Sequence, residues 1–255
     1  MRKLLIVILF FCSSDLFSQG KQFIYGNQIW YGYYPQIRFT KHWGLWNDWE
    51  LHSKEDFTKA VSQIIFRLAA TYYTNENTKL TAGYGYSNNY PGDNHLYISQ
   101  PEHHFWEQVQ WYSNFRKKKL MQWIRLEERY RKHVVDNYTV ANYYDFSYRA
   151  RYEAYYQLPL GKKGLTAHHF AIGLGEEIYI NFGKTVNNYF DQNRLSAGIS
   201  YMVNNDDNLV LGYTNLFQQA GANVFKKFNL IRLSYFQNIE TGHSKTKTVP
   251  HESGM

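Results

Sequence analysis

Apolar and polar residues alternate with a period of two from Gly26 onward, in successive segments divided by turn residues. That period belongs to β-strands, whose side chains point to opposite faces in turn. It predicts strands near 27–39, 43–53, 60–73, 78–88, 102–115, 120–133, 143–157, 167–181, 192–203, 208–218 and 226–237. In the first, Ile29, Tyr31, Tyr33, Ile37 and Phe39 oppose Gln28, Gly32, Gln36 and Arg38. In the third, Ile64, Phe66, Leu68, Ala70 and Tyr72 oppose Gln63, Arg67 and Thr71. The seventh sets Phe146, Tyr148, Ala150 and Tyr152 against Ser147, Arg149, Arg151 and Glu153; the ninth sets Leu195, Ala197, Ile199 and Tyr201 against Arg194, Ser196, Gly198 and Ser200. An internal repeat supports a hairpin series. Tyr72, Asn75, Leu80, Gly83 and Tyr84 match Tyr201, Asn204, Leu209, Gly212 and Tyr213 at identical spacing, each set enclosing an Asn-rich turn whose asparagines tolerate left-handed backbone.

Connections after odd-numbered strands are mostly short, and those after even-numbered strands mostly longer, above all residues 88–101. Up-and-down barrels of the outer membrane show this asymmetry and an even strand number. The expectation is therefore an all-β, antiparallel transmembrane barrel of twelve strands, with an extra short strand around Lys21–Tyr25, or failing that ten. It occupies residues 19–240, after a signal peptide (1–18) and before a polar tail (241–255). Met1-Arg2-Lys3, the apolar run Leu4–Phe11 and the small residues after it carry the signal pattern. The run is too short to span a bilayer as a helix, and no later stretch approaches that length. An exported chain of this kind enters a membrane only as a closed barrel.

Composition narrows the chemistry. The one cysteine, Cys12, leaves with the signal, so no disulfide or thiolate site is expected. The net charge of +7 comes with no nucleic-acid module. Aromatics make up 19% of the chain, with 24 tyrosines, which fits girdles at a membrane interface.

The placement of cations decides which face is inside. In "MQWIRLEERYRKH" (121–133), Arg125, Glu127, Arg129 and Arg131 share one face while Ile124, Leu126 and Tyr130 share the other. In-strand arginines follow this phase, whereas lysines gather at turns and strand ends. Arginine's planar, weakly hydrated fork suits confined networks with carboxylates, and lysine prefers open water. The expected lumen-facing network is Arg67, Glu50, Glu102, Arg125, Glu127, Arg129, Arg131, Arg149, Arg151, Glu153, Glu177, Arg194 and Arg232, with Arg38 and Asp48 on the same face and Trp30, Trp46 and Trp106 in the interior. Glu107, Glu128 and Glu176 resist this phase and point outward unless a bulge or slipped register intervenes. The alternative is a soluble barrel with a solvated polar face.

The final strand, "NLIRLSYFQNI", ends in the pair Tyr235-Phe236, similar to the C-terminal assembly signal of outer-membrane barrels, although residues 241–255 follow it. Together with "QIWYGYYPQIRF" (28–39), "WGLWNDWELHSKED" (43–56), "EHHFWEQVQW" (102–111), "RLEERY" (125–130), "YRARYEAYYQLPL" (148–160) and "FDQNRLSAGISY" (190–201), the chain resembles the Bacteroidetes-type outer-membrane barrels grouped as domain of unknown function family 2490. The resemblance implies a barrel and brings no catalytic residues.

No catalytic constellation emerges, and no enzyme activity is expected. The His-x-Ser-Asn-Gly stretch of outer-membrane phospholipases is missing, and Ser87 and His95 merely flank the longest loop. His103-His104 and His168-His169 cannot each converge on one ion if they lie on strands, and "PGDNH" (91–95) lacks calcium-loop spacing. No metal and no cofactor is expected. The expected partners are outer-membrane lipids, the barrel-assembly machinery during biogenesis and small anionic solutes, with no nucleic acid. Two roles follow for a protein of the outer membrane: a porin-like channel with an arginine-rich wall, or a closed structural or binding barrel whose external loops meet partners. The width of ten to twelve strands places the channel first.

Overall fold

Each alternating segment forms one strand in the computed structural model, which describes residues 20–54, 57–91 and 97–241. They are β1 (Gln22–Arg38), β2 (Trp43–Lys54), β3 (Ala60–Asn75), β4 (Thr78–Asn89), β5 (Gln100–Phe115), β6 (Lys118–Val134), β7 (Val140–Pro159), β8 (Phe170–Phe182), β9 (Phe190–Met202), β10 (Asn208–Gln219) and β11 (Val224–Glu240). Neighbours in sequence pair antiparallel, and β1 closes the barrel against β11. The closing pair is parallel, in register from Gln22↔Val224 to Arg38↔Glu240. The signal segment, His95 and nearly all of the polar tail lie outside the described residues.

The count is eleven, between the ten and twelve that the even rule allows, because Gln22–Tyr25 is no separate strand. It runs straight on into the rest of β1. Gly26, within the continuous strand, lies against the Phe228 ring, where an added Cβ would sit 3.0 Å from the ring. Its missing side chain therefore serves close packing at the seam rather than a turn.

Parity along the strands sets the two faces. Among the described residues, forty-three large apolar or aromatic side chains are exposed, while only eighteen hydrophobic residues are buried. Ile124, Leu126 and Tyr130 lie on the outer face of β6, and Trp123, Arg125, Glu127 and Arg129 are buried on its inner face. Rings recur on the exterior near both rims, as in Trp43 against Tyr72 (centroids 5.0 Å apart) and Tyr148 stacked on Phe182 (5.3 Å). Glu107, Glu128 and Glu176 do face outward. The ladder is regular where they sit, with Glu107 opposite Leu126 and Glu128 opposite Phe105. The register shifts fall elsewhere, at His52/Ser53, Tyr73/Asn75, Lys132/Val134 and Tyr179/Ile180. Glu176 accepts a hydrogen bond from Asn193 Nδ2 at 3.0 Å.

The tight turns sit at the rim where β1 ends, two of them being residues 76–77 and 116–117. The asymmetry between rims is weaker than the sequence indicated, because residues 160–169 at that rim make as long a connection as residues 90–99 at the other. The Asn-rich turns also work differently from the expectation. Asn75 Oδ1 accepts from the Asn77 amide (2.8 Å), and Asn204 Oδ1 accepts from the amides of Asp206 and Asp207 (2.6 Å each). No asparagine among the described residues has positive φ. The side chain, not left-handed backbone, closes these turns.

Candidate functional site

Inward-facing side chains fill the barrel in tiers. Nearest the rim where β1 ends, Tyr34, Tyr112, Met121, Trp123, Tyr155, Val210 and Phe236 form one buried cluster across the lumen. Tyr34 and Phe236, paired across the β1–β11 seam, stack with centroids 4.6 Å apart. Trp46, Ala69 and Trp106 form a second cluster beside it. Tyr155 fits because the inward positions facing it on β8 are Gly173 and Gly175; any side chain at Gly173 would collide with the Tyr155 phenol.

The middle tier is ionic. Glu127 is wholly buried and holds two arginines, Arg149 Nη2 at 2.5 Å and Arg151 Nη1 at 2.7 Å. Arg151 also donates to Glu177 Oε1 from Nη2 (2.5 Å) and Nε (2.9 Å), and the Tyr179 hydroxyl donates to the other Glu177 oxygen at 2.6 Å. Arg129 clasps Glu102 with two bonds of 2.7 Å. Arg67 bridges Asp48 (3.0 Å) and Glu50 (2.8 Å), and Glu50 meets His52 Nε2 at 3.0 Å. Paired forks of this kind are the strong form of ionic hydrogen bond. They compensate the desolvation that an isolated buried charge would suffer.

A cavity of about 250 Å³ lies within this tier. Its lining reaches part-exposed Gln63, Asn89 and Gln218 at the rim where β1 begins, and toward the other rim it meets Tyr34, Trp46, Trp123 and Phe236. Of the thirteen residues expected to share the inner face, twelve line this cavity; the thirteenth, Glu127, is buried behind it. Glu153 is buried yet makes no ion pair or hydrogen bond among the described residues. Arg131 lines the mouth and likewise has no such partner among them. Arg125 stacks on Trp106 (4.1 Å to the centroid) and Trp123 (5.1 Å), and its Nε donates to Gln108 at 2.8 Å.

Several lining residues were not assigned to the lumen from the sequence: His52, His104, Asp191, Gln192 and Lys226. His52, His104, Gln192 and Lys226 follow the inward parity of their strands, whereas Asp191, next to Gln192, is off that parity and turns inward where the β8–β9 register shifts at Tyr179/Ile180. Lysines do not simply avoid the interior, either. Lys54, Lys79, Lys119 and Lys226 are buried at strand ends, with Lys79 over the Trp46 ring (4.4 Å) and Lys119 over Tyr112 (4.2 Å). The long stem covers apolar surface while an aromatic face receives the ammonium. Arg38 behaves likewise at its rim, over Tyr73 at 4.2 Å.

The histidine pairs separate. His103 faces outward and bonds the Tyr84 hydroxyl (2.6 Å), whereas His104 faces inward and receives Arg67 Nε (3.3 Å). His168 and His169 lie in the 160–169 connection rather than on a strand; His168 meets the Tyr201 hydroxyl at 3.3 Å and His169 the Ala167 carbonyl at 2.8 Å. No group of three metal-ligating side chains occurs among the described residues. Ser87 is buried and lines the cavity.

No curated protein and no solved structure matches this chain. A family model described as "Protein of unknown function (DUF2490)" matches residues 27–227, from within β1 into β11, and the chain belongs to that family.

Proposed function

We propose that this protein is an outer-membrane β-barrel with a blind interior cavity, a binding or structural barrel rather than an open channel. The observation that carries the reading is the aromatic tier. Seven buried side chains from β1, β5, β6, β7, β10 and β11 meet across the lumen, and no member is more than 8% exposed. A pore needs a continuous polar path, and a packed tier of rings and aliphatics interrupts it. The membrane assignment is supported by the apolar exterior, since water-soluble monomers rarely present contiguous apolar surface on such a scale, and by strands of twelve to twenty residues, long enough to cross a bilayer when tilted. Export through a cleaved signal peptide accompanies this reading.

Purified protein refolded into planar bilayers is expected to give no sustained single-channel conductance. Reproducible steps at modest voltage would reinstate the channel. Partition of the native protein into the aqueous phase without detergent would defeat the membrane assignment itself.

A further inference from the structure

We infer that the interior cavity binds a small anion, a phosphate or carboxylate group held between Arg194 and Arg232 beside Trp30. This deepens the blind-cavity reading and rests on it. Among the described residues, eight arginines line the cavity against six carboxylates, and buried Glu127 behind the wall makes seven, which leaves one guanidinium in excess. In a confined, low-dielectric interior such an excess is costly unless an anion meets it.

Two of the guanidiniums with unspent donors meet at one place, beside Trp30. Four of the eight arginines lining the cavity are tied to carboxylates at 3.0 Å or less, but Arg232 has no carboxylate within 4.0 Å among the described residues. Its Nη2 reaches only the Tyr34 hydroxyl, at 3.5 Å, and its buried Nε has no acceptor. Arg194 touches Glu177 only at 3.5 Å, and its Nε bonds the neutral Gln192 at 3.0 Å. The two guanidiniums approach the same indole, with Arg194 4.7 Å and Arg232 5.5 Å from the Trp30 ring. His52 stacks on that ring at 3.8 Å, and its Nε2 is engaged by Glu50. Trp30 is fixed in turn by its own Nε1 bond to Gln28 at 2.7 Å. Two guanidiniums on a common aromatic platform, with donors unspent and the cavity in front of them, suit the planar oxygens of a carboxylate or the face of a phosphate. Glu153 lines the same cavity and supplies an acceptor for a hydroxyl or amine on the anion's far side.

The test is calorimetric titration of inorganic phosphate, and separately of citrate, into the full chain refolded in detergent in chloride-free buffer. The same preparation is recorded in planar bilayers. Saturable binding of at least one anion is expected, weakened about tenfold or more in Arg232→Gln and in Arg194→Gln, in line with the loss of a charged hydrogen bond. Lys163→Gln, at the opposite rim, is expected to bind as the parent does. Should Arg232→Gln fail to refold, Arg232→Lys keeps the charge without the fork, and its affinity is expected to fall too. The phosphate and citrate arms distinguish the two anion classes. No saturable binding of either anion to the folded parent, or binding that both glutamine variants leave unchanged, overturns the site. A silent bilayer without binding defeats the anion alone; conductance steps defeat the blind cavity, whatever the titration gives.

Discussion

Glu127 sits among three arginines, with two of them at ion-pair contact and Arg125 Nη1 at 4.0 Å. Its carboxylate is what lets buried Arg151 and half-buried Arg149 stand side by side on one strand. Removing one partner of a buried ionic group strands the others without water, and such losses run to about 3–5 kcal/mol. Glu127→Gln is therefore expected to lower the unfolding free energy of the refolded barrel, measured by urea titration, by about 3–5 kcal/mol. Glu107→Gln, on the outer face, should be neutral or stabilising, because it removes a charge from an apolar surface. Equal midpoints for the two variants would show that the interior network contributes nothing to the fold. Parity made the face of these residues legible in the sequence. Reach was not: nothing in the spacing tells that Arg151 spans from Glu127 to Glu177 while Arg232, among the described residues, hydrogen-bonds only a tyrosine hydroxyl.

Strand limits were legible to within about three residues because alternation stops where turn residues begin, except that β1 starts at Gln22 rather than near 27. What the pattern could not show is how neighbouring strands share volume. Tyr155 lies over β8 because Gly173 and Gly175 leave a groove there, a fit invisible within either strand alone. Filling the groove must push the phenol out of the aromatic tier. Gly173→Val is expected to cost about 1–3 kcal/mol, the usual penalty of overpacking. The double variant with Tyr155→Ala should recover part of that loss, as interacting neighbours do. Strictly additive losses in denaturant titrations would mean that the glycine and the ring do not meet. The seam between β1 and β11 was likewise hidden, since alternation carries no information on whether the closing pair is parallel or antiparallel.

Barrel width suggested an open lumen because strand number sets circumference. That argument weighs the wall and not its contents. Eight arginines, with their carboxylates and a tier of rings, reach far into the space an eleven-stranded wall encloses. If the aromatic tier is what blocks passage, removing it must create a conduit. The triple variant Trp123→Ala, Tyr155→Ala, Phe236→Ala is expected to conduct in bilayers where the parent is silent, with anions preferred by the arginine wall. A folded triple variant that stays silent would place the block in the ionic tier instead.

The parallel seam has a topological consequence. A wall built from an even number of alternating strands delivers both ends of its polypeptide to one compartment. This wall takes in the chain at Gln22 on one rim and lets it go at Glu240 on the other. Once the barrel is seated in a bilayer, a fusion placed before Gln22 and another after Glu240 answer to opposite sides, and one of the two ends has had to be carried across during insertion.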